Sequence, residues 1–231
     1  MNEYDLHDRQ KFQAAKPFPH LVVDNYCDEK LVNHALDALP AKHDPLWKRY
    51  QKNKRGLRDI EKLAGPVQRM AAVMTSKNQA AWLSRVTGIS GLIPDTTYAG
   101  AGIHSVGSGG SLGVHVDFNE IKKIKGKIEA PLYRRLNTFL YLNDEWEPEW
   151  GGDLGLYGPP KPGGKPGLLY KSIAPKYNRF VAFETVKDSW HGHPRPLECP
   201  VDRSRLSFAV YWYTLERPPW FTKKHSTVYV K

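Results

Sequence analysis

SLGVHVDFNE, residues 111–120, sets a histidine and an aspartate two positions apart in a stretch that otherwise reads as a short apolar strand. Residues i and i+2 of a strand face the same side. His115 and Asp117 therefore project together, while Val114, Val116 and Phe118 take the opposite face. An imidazole and a carboxylate side by side can hold a divalent metal. A second histidine would complete three ligands on one face of an octahedron, an arrangement that leaves positions free for oxygen chemistry at iron.

The search for that histidine is short. Of nine in the chain, His7, His20, His34 and His43 fall in the lead-in, the first strand and the helical region, and His225 lies in a basic C-terminal segment. His104, His191 and His193 remain. In NRFVAFETVKDSWHGHP (178–194) a strand over 179–184 runs into a turn and then Trp190-His191-Gly192. Gly192 permits a tight backbone beside a ligand. His191 is the candidate third ligand, with His193 the fallback and Trp190 a candidate pocket wall.

Outward from these residues the chain has two textures. Residues 1–16 read as a polar lead-in and 20–26 as a short buried strand. DEKLVNHALDAL (28–39) reads as a helix: Asp28 can cap it, Leu31, Val32, Ala35, Leu36 and Leu39 repeat at helical spacing, and Pro40 stops it. The basic stretch 41–59 reads as irregular. Residues 66–76 and 78–88 read as two more helices, with Pro66 suited to a first helical turn and Gly88 to a C-terminal cap. After residue 95, alternating runs punctuated by Gly, Pro, Asn and Asp predict strands near 101–106, 112–117, 134–142, 152–157, 168–173, 179–184, 204–214 and 226–230. The expected fold is mainly β, a sandwich or barrel with the early helices packed outside it.

The 231 residues suit one large domain, expected over 17–231 with helical support over 28–88 and a β core over 95–217. The formal net charge is +10, concentrated in WKRYQKNKRGLR (47–58) and KKIKGK (122–127). Such stretches are either solvated faces or attractors of an anionic substrate or nucleic acid. Two distant cysteines, Cys27 and Cys199, form neither a disulfide framework nor a zinc pattern. With no apolar signal core and no run of eighteen apolar residues, the expectation is a cytoplasmic protein without a membrane span. The oligomeric state is not legible.

Oxygen chemistry at such a metal needs two electrons from outside the main substrate, and an oxo-acid that chelates iron supplies them by decarboxylation. Its far carboxylate needs a cation, and arginine binds carboxylates bidentately. DRSRLSFAVYWY (202–213) offers Arg205 and Ser207 on one strand face, followed by Ala209 and Tyr211, with Arg203 as competitor.

In this order, His115-Val-Asp117, His191-Gly192 and Arg205-Leu-Ser207 resemble the Fe(II)/2-oxoglutarate-dependent dioxygenases, most of all the prolyl 4-hydroxylase-like branch with its small bacterial and phage members. RRLNTFLYLNDEWEPEWGGDLGLY (134–157), HLVVDNYCDEKLVNHALDALP (20–40) and GISGLIPDTTYAGAGIH (88–104) extend the likeness to about residues 17–217. The resemblance implies a double-stranded β-helix (jelly-roll, cupin-like) core, Fe(II) held by His115, Asp117 and His191, and 2-oxoglutarate held by Arg205 with Ser207 beside it. Asn137, Phe139 and Tyr141 would face the pocket, Asn137 or Tyr141 touching 2-oxoglutarate, and His104 would line it. It implies O2 as co-substrate, ascorbate as a stimulant, and hydroxylation of a small-molecule or peptidyl substrate with release of succinate and CO2. The basic loop suggests an anionic one. In prolyl 4-hydroxylases the carboxylate cation is usually Lys and follows the distal His more closely, whereas here Arg205 follows the longer PRPLECPVD (194–202). This departure weighs against proline without touching the co-substrate. Loops 118–133 and 158–167 are expected to frame the mouth.

Two other readings compete. An alkylation-repair demethylase of the same superfamily would act on nucleic acid, and Glu120 completes its HxDxxE pattern. That group carries two arginines six apart on the last strand, yet six after Arg203 and Arg205 stand Ala209 and Tyr211. A binding module with a structural metal would need a fourth ligand, and none is evident.

Overall fold

The computed structural model describes residues 3–51, 53–124 and 126–230; Lys52 and Lys125, both in the basic stretches, lie outside the described residues. Four helices form, α1 (Glu3–Ala14), α2 (Glu29–Asp37), α3 (Gly65–Met74) and α4 (Lys77–Thr87). The early strands are β1 (His20–Val23), β2 (Lys48–Gln51), β3 (Lys54–Leu57), β4 (Ile93–Pro94), β5 (Gly102–Gly107), β6 (Leu112–Val116) and β7 (Glu120–Ile121). The later ones are β8 (Leu132–Tyr141), β9 (Leu154–Tyr157), β10 (Leu169–Ile173), β11 (Phe180–Glu184), β12 (His191–His193), β13 (Ser204–Thr214) and β14 (Val228–Tyr229).

The caps read at Asp28 and Gly88 form: Asp28 accepts from the Leu31 amide at 3.0 Å, and Gly88 ends α4 in the left-handed region at φ 81°. Ser76, read as the end of the preceding helix, instead caps α4, accepting from the Gln79 amide at 3.0 Å. The larger sheet runs β1-β11-β8-β13-β5-β3-β2, with β4 beside β13 and β7 beside β8. The smaller runs β10-β9-β12-β6-β14. Neighbours are antiparallel throughout. Helices and the loops beside them cover the outer face of the larger sheet: Trp82 of α4 meets the Phe180 ring at 5.7 Å, Tyr26 in the loop before α2 stacks on the same ring at 4.2 Å, and Tyr98 before β5 lies 5.7 Å from Phe208. Phe180 and Phe208, both fully buried, are each worth roughly 1.5–3 kcal/mol of burial. The inner face looks toward the smaller sheet, where Phe183 reaches the His191 ring at 4.5 Å. This is the expected jelly-roll with helices outside.

Two segments differ from the sequence reading. The lead-in is helical from Glu3 to Ala14 and docks on α4, with Phe12 1% exposed and Arg9 Nε donating to the Arg85 carbonyl at 3.1 Å. One apolar anchor in a polar helix leaves no stripe to detect. The stretch read as irregular over 41–59 contains the β2–β3 hairpin, which extends the larger sheet along β5. Its many basic residues mask the period of two, and the pairing comes from a strand about fifty residues away. No described helix is long and apolar enough to cross a membrane.

Candidate active site

β6 carries His115, with Asp117 just past its end, and β12 opens on His191. The two strands pair with His191 opposite His115, so residues distant in sequence become cross-strand neighbours. Their rings lie 4.3 Å apart, and each Nε2 stands 3.6 Å from an Asp117 carboxylate oxygen. One ligand atom from each of the three lies within 4.8 Å of the others, and all three residues are buried.

The imidazoles are held in one tautomer. His115 Nδ1 donates to the Gly113 carbonyl and His191 Nδ1 to the Ser189 carbonyl, both at 2.8 Å. A carbonyl only accepts, so the proton sits on Nδ1 and each Nε2 presents a lone pair to the site. Burial, then the neighbouring His115, pushes His191 down to about 4. It is therefore neutral at physiological pH. Burial alone would raise the Asp117 carboxyl, but Arg134 and then the histidines outweigh it and hold Asp117 well below the usual carboxylate range. Two imidazoles and one carboxylate, converging beside a cavity of about 240 Å³, fit a divalent iron with open positions.

Gly192 makes this pairing possible. A Cβ there would lie 2.8 Å from the Gly113 carbonyl oxygen, 2.9 Å from that of Leu112 and 3.0 Å from Val114 Cα. All three are backbone atoms that cannot swing aside. Gly192→Ala is expected to cost roughly 1–3 kcal/mol by overpacking and to part His191 from His115. Urea unfolding and metal affinity read the two effects separately.

At the other end, β13 supplies Arg205 and Ser207. Ser207 is in register with Tyr141 on β8 and His104 on β5. Arg205 Nε donates to the Gly152 carbonyl and Nη2 to the Tyr141 hydroxyl, both at 2.7 Å. Both bonds fix the guanidinium and leave Nη1 for a ligand. Because Tyr141 accepts from Arg205, its own proton is free to be donated elsewhere. Burial raises the Tyr141 pKa, which keeps that proton in place.

His104, His115, Asp117, Asn137, Phe139, His191, Arg205 and Ser207 all line the cavity. Asn137 Nδ2 donates to Asp117 Oδ2 at 3.2 Å, while its buried Oδ1 has no protein partner. Tyr141 sits fully buried behind Arg205. His193 lines the wall without joining the triad, and Arg203 is exposed, 3.5 Å from Glu145. Trp190, expected in the pocket, is not among the lining residues: next to His191 in an extended segment, it points the opposite way. The expected mouth is also corrected. Past Phe118, no described residue of 118–133 lines the cavity, and none of 158–167 does; Lys123 instead pairs with Glu129 at 2.9 Å. Lys54 on β3 and the C-terminal Thr227 and Tyr229 border it.

Sequence reasoning missed Arg134. It is fully buried, 2.9 Å from Asp117 Oδ2, between the Tyr211 ring at 3.5 Å and the Phe118 ring at 4.6 Å. Counted in twos from Asn137 it belongs to the other face. The register shifts between Trp212 and Tyr213, where two residues of β8 oppose one of β13. That bulge brings Arg134 round to the site.

Residues 101–213 match the sequence model of the 2OG-Fe(II) oxygenase superfamily. The chain is 38% identical over 86 residues to prolyl 3-hydroxylase OGFOD1 of Xenopus laevis, covering 37% of this chain and 17% of that one. It thus spans about a sixth of that curated relative. Among solved structures it resembles a Trichoplax adhaerens prolyl hydroxylase in complex with a hypoxia inducible factor peptide fragment (TM-score 0.58, 15% identity, 93% and 94% of the chains covered). It also resembles HygX of Streptomyces hygroscopicus with nickel, 2-oxoglutarate and hygromycin B bound (TM-score 0.56, 14% identity, 93% and 88% covered). Residues 101–213 thus carry a match to the 2OG-Fe(II) oxygenase family, and the likenesses to solved structures show the same fold across the whole architecture.

Proposed function

We propose that the protein is an Fe(II)- and 2-oxoglutarate-dependent dioxygenase that hydroxylates a C–H bond of a peptidyl substrate, releasing succinate and CO2. The observation that carries this reading is the convergence of three metal-ready donors with an anchored arginine across one cavity. His115, Asp117 and His191 would hold the iron, which supplies oxygen activation once the oxo-acid chelates it. Arg205 Nη1 and the Ser207 hydroxyl would hold the far carboxylate of 2-oxoglutarate, with Tyr141 fixing the guanidinium from behind. Asn137 steadies Asp117 and keeps an acceptor turned to the cavity. Phe139 and Leu154 supply apolar wall that limits water beside the reacting centre.

The stretch shared with a prolyl 3-hydroxylase supports a prolyl residue as target over a free small molecule. A nucleic-acid substrate is disfavoured, because Tyr211 stands where a second arginine would be needed and its ring is occupied by Arg134. The unpaired Cys27 and Cys199 support a reducing, cytoplasmic compartment.

The test is an anaerobic titration of apo-protein with Fe(II) and 2-oxoglutarate, followed in the visible. A weak metal-to-ligand charge-transfer band is expected, and it should vanish in His191→Ala. Absence of the band in wild-type protein with iron demonstrably bound would overturn the reading.

A further inference from the structure

The β2–β3 hairpin places a second cation in the cavity. Lys54 is opposite Val106 on β5, and Val106 is opposite Arg205 on β13, so the two basic residues stand in one row across three strands. Directly opposed residues in antiparallel strands share a face, and Lys54 lines the cavity together with Arg205, His104 and His193. Gly56, two residues on, is opposite His104 and lets the Tyr50 ring pack close: a Cβ at 56 would meet Tyr50 at 2.6 Å, the Ile103 carbonyl oxygen at 3.1 Å and His104 at 3.3 Å.

The Lys54 ammonium has no hydrogen-bond or ion-pair partner among the described residues. Burial, then Arg205, presses its pKa down, and Asp117 only partly offsets this. Asp117 is already neutralised by Arg134. The far carboxylate of the co-substrate is matched by Arg205 and Ser207, and the two negative charges of 2-oxoglutarate would be met by Arg205 and the metal. Lys54 is therefore surplus to every group assigned so far. It is half-buried at the border of the cavity.

We propose that Lys54 selects an acidic main substrate: a peptide whose side-chain carboxylate, close to the oxidised residue, pairs with its ammonium. This rests on the dioxygenase reading of the cavity given above. A charge held at the rim of a partly desolvated site discriminates strongly, because an uncharged or cationic substrate leaves the ammonium unpaired.

The test uses short acetylated peptides with a central proline flanked by Glu or Asp, by Gln or Asn, or by Lys. Binding is measured anaerobically with Fe(II) and N-oxalylglycine, and 2-oxoglutarate affinity is measured in parallel. Wild-type protein is expected to bind acidic peptides about tenfold more tightly than their amide counterparts. Lys54→Met should abolish that ratio and Lys54→Glu should invert it toward the Lys peptides. Lys54→Met should keep the wild-type 2-oxoglutarate affinity and melting temperature. A Lys54→Met variant that retains the acidic preference, or wild-type protein that shows none, overturns the proposal. So does a loss of 2-oxoglutarate affinity in Lys54→Met, which would assign the ammonium to the co-substrate. Wild-type protein that binds no 2-oxoglutarate would instead sink the dioxygenase reading, while the peptide ranking would still decide the role of Lys54.

Discussion

Arg134→Met is expected to destabilise the apo-protein by about 3–5 kcal/mol at neutral pH, a large share of the roughly 5–15 kcal/mol that holds a typical domain folded. The guanidinium is fully buried, 2.9 Å from Asp117, and packed between two aromatic rings. Met replaces the volume and some of the ring contact but strands the Asp117 carboxylate in a desolvated pocket. Asn137 alone then donates to it. Arg134 depresses the Asp117 pKa in the fold, so its stabilisation is complete above the unfolded carboxyl pKa of about 4 and fades as pH falls toward the folded value. The gap between wild type and variant should therefore narrow in acid. Urea unfolding at neutral and acid pH, in the presence of chelator, measures it. The double variant Arg134→Met/Asp117→Asn should recover much of the loss, because the stranded charge is gone. Equal stability of Arg134→Met and wild type at neutral pH would mean that the pair contributes register alone.

Arg205→Met is expected to weaken 2-oxoglutarate binding about a hundredfold or more, the usual consequence of removing one partner of a buried charge pair. Two of its nitrogens are committed to Gly152 and Tyr141, so the side chain is pre-positioned and loses little entropy when a carboxylate arrives. Iron affinity should change far less, since the triad stands on other strands. Arg205→Lys should fall in between: a single ammonium cannot reach Gly152, Tyr141 and the ligand in the same planar fork. Anaerobic equilibrium titrations with each ligand separate the two affinities. Undiminished 2-oxoglutarate binding in Arg205→Met would move the carboxylate site to the other cavity cation, Lys54.

Much of this was legible in one dimension because Cβ direction is a local property. Alternation put His115 with Asp117 and Arg205 with Ser207, and the fold keeps both pairs. The caps at Asp28 and Gly88 likewise depend only on the backbone groups beside them. His191 emerged because few histidines stood in a strand context.

What only the tertiary structure decided depends on register and on partners from far along the chain. Period-two counting fails across the bulge in β8, so Arg134 was invisible beside Asn137. Trp190 was misplaced for a related reason, since adjacency to a ligand in an extended segment means the opposite face. The β2–β3 hairpin exists by virtue of pairing with β5, and the cavity border depends on β14 returning to β6 from the end of the chain. A one-residue shift in either pairing would turn Lys54 or Tyr229 away from the cavity while leaving every local propensity unchanged. Residue order and periodicity therefore determined which chemistry the chain carries; the long-range pairing of strands decided which charges surround it.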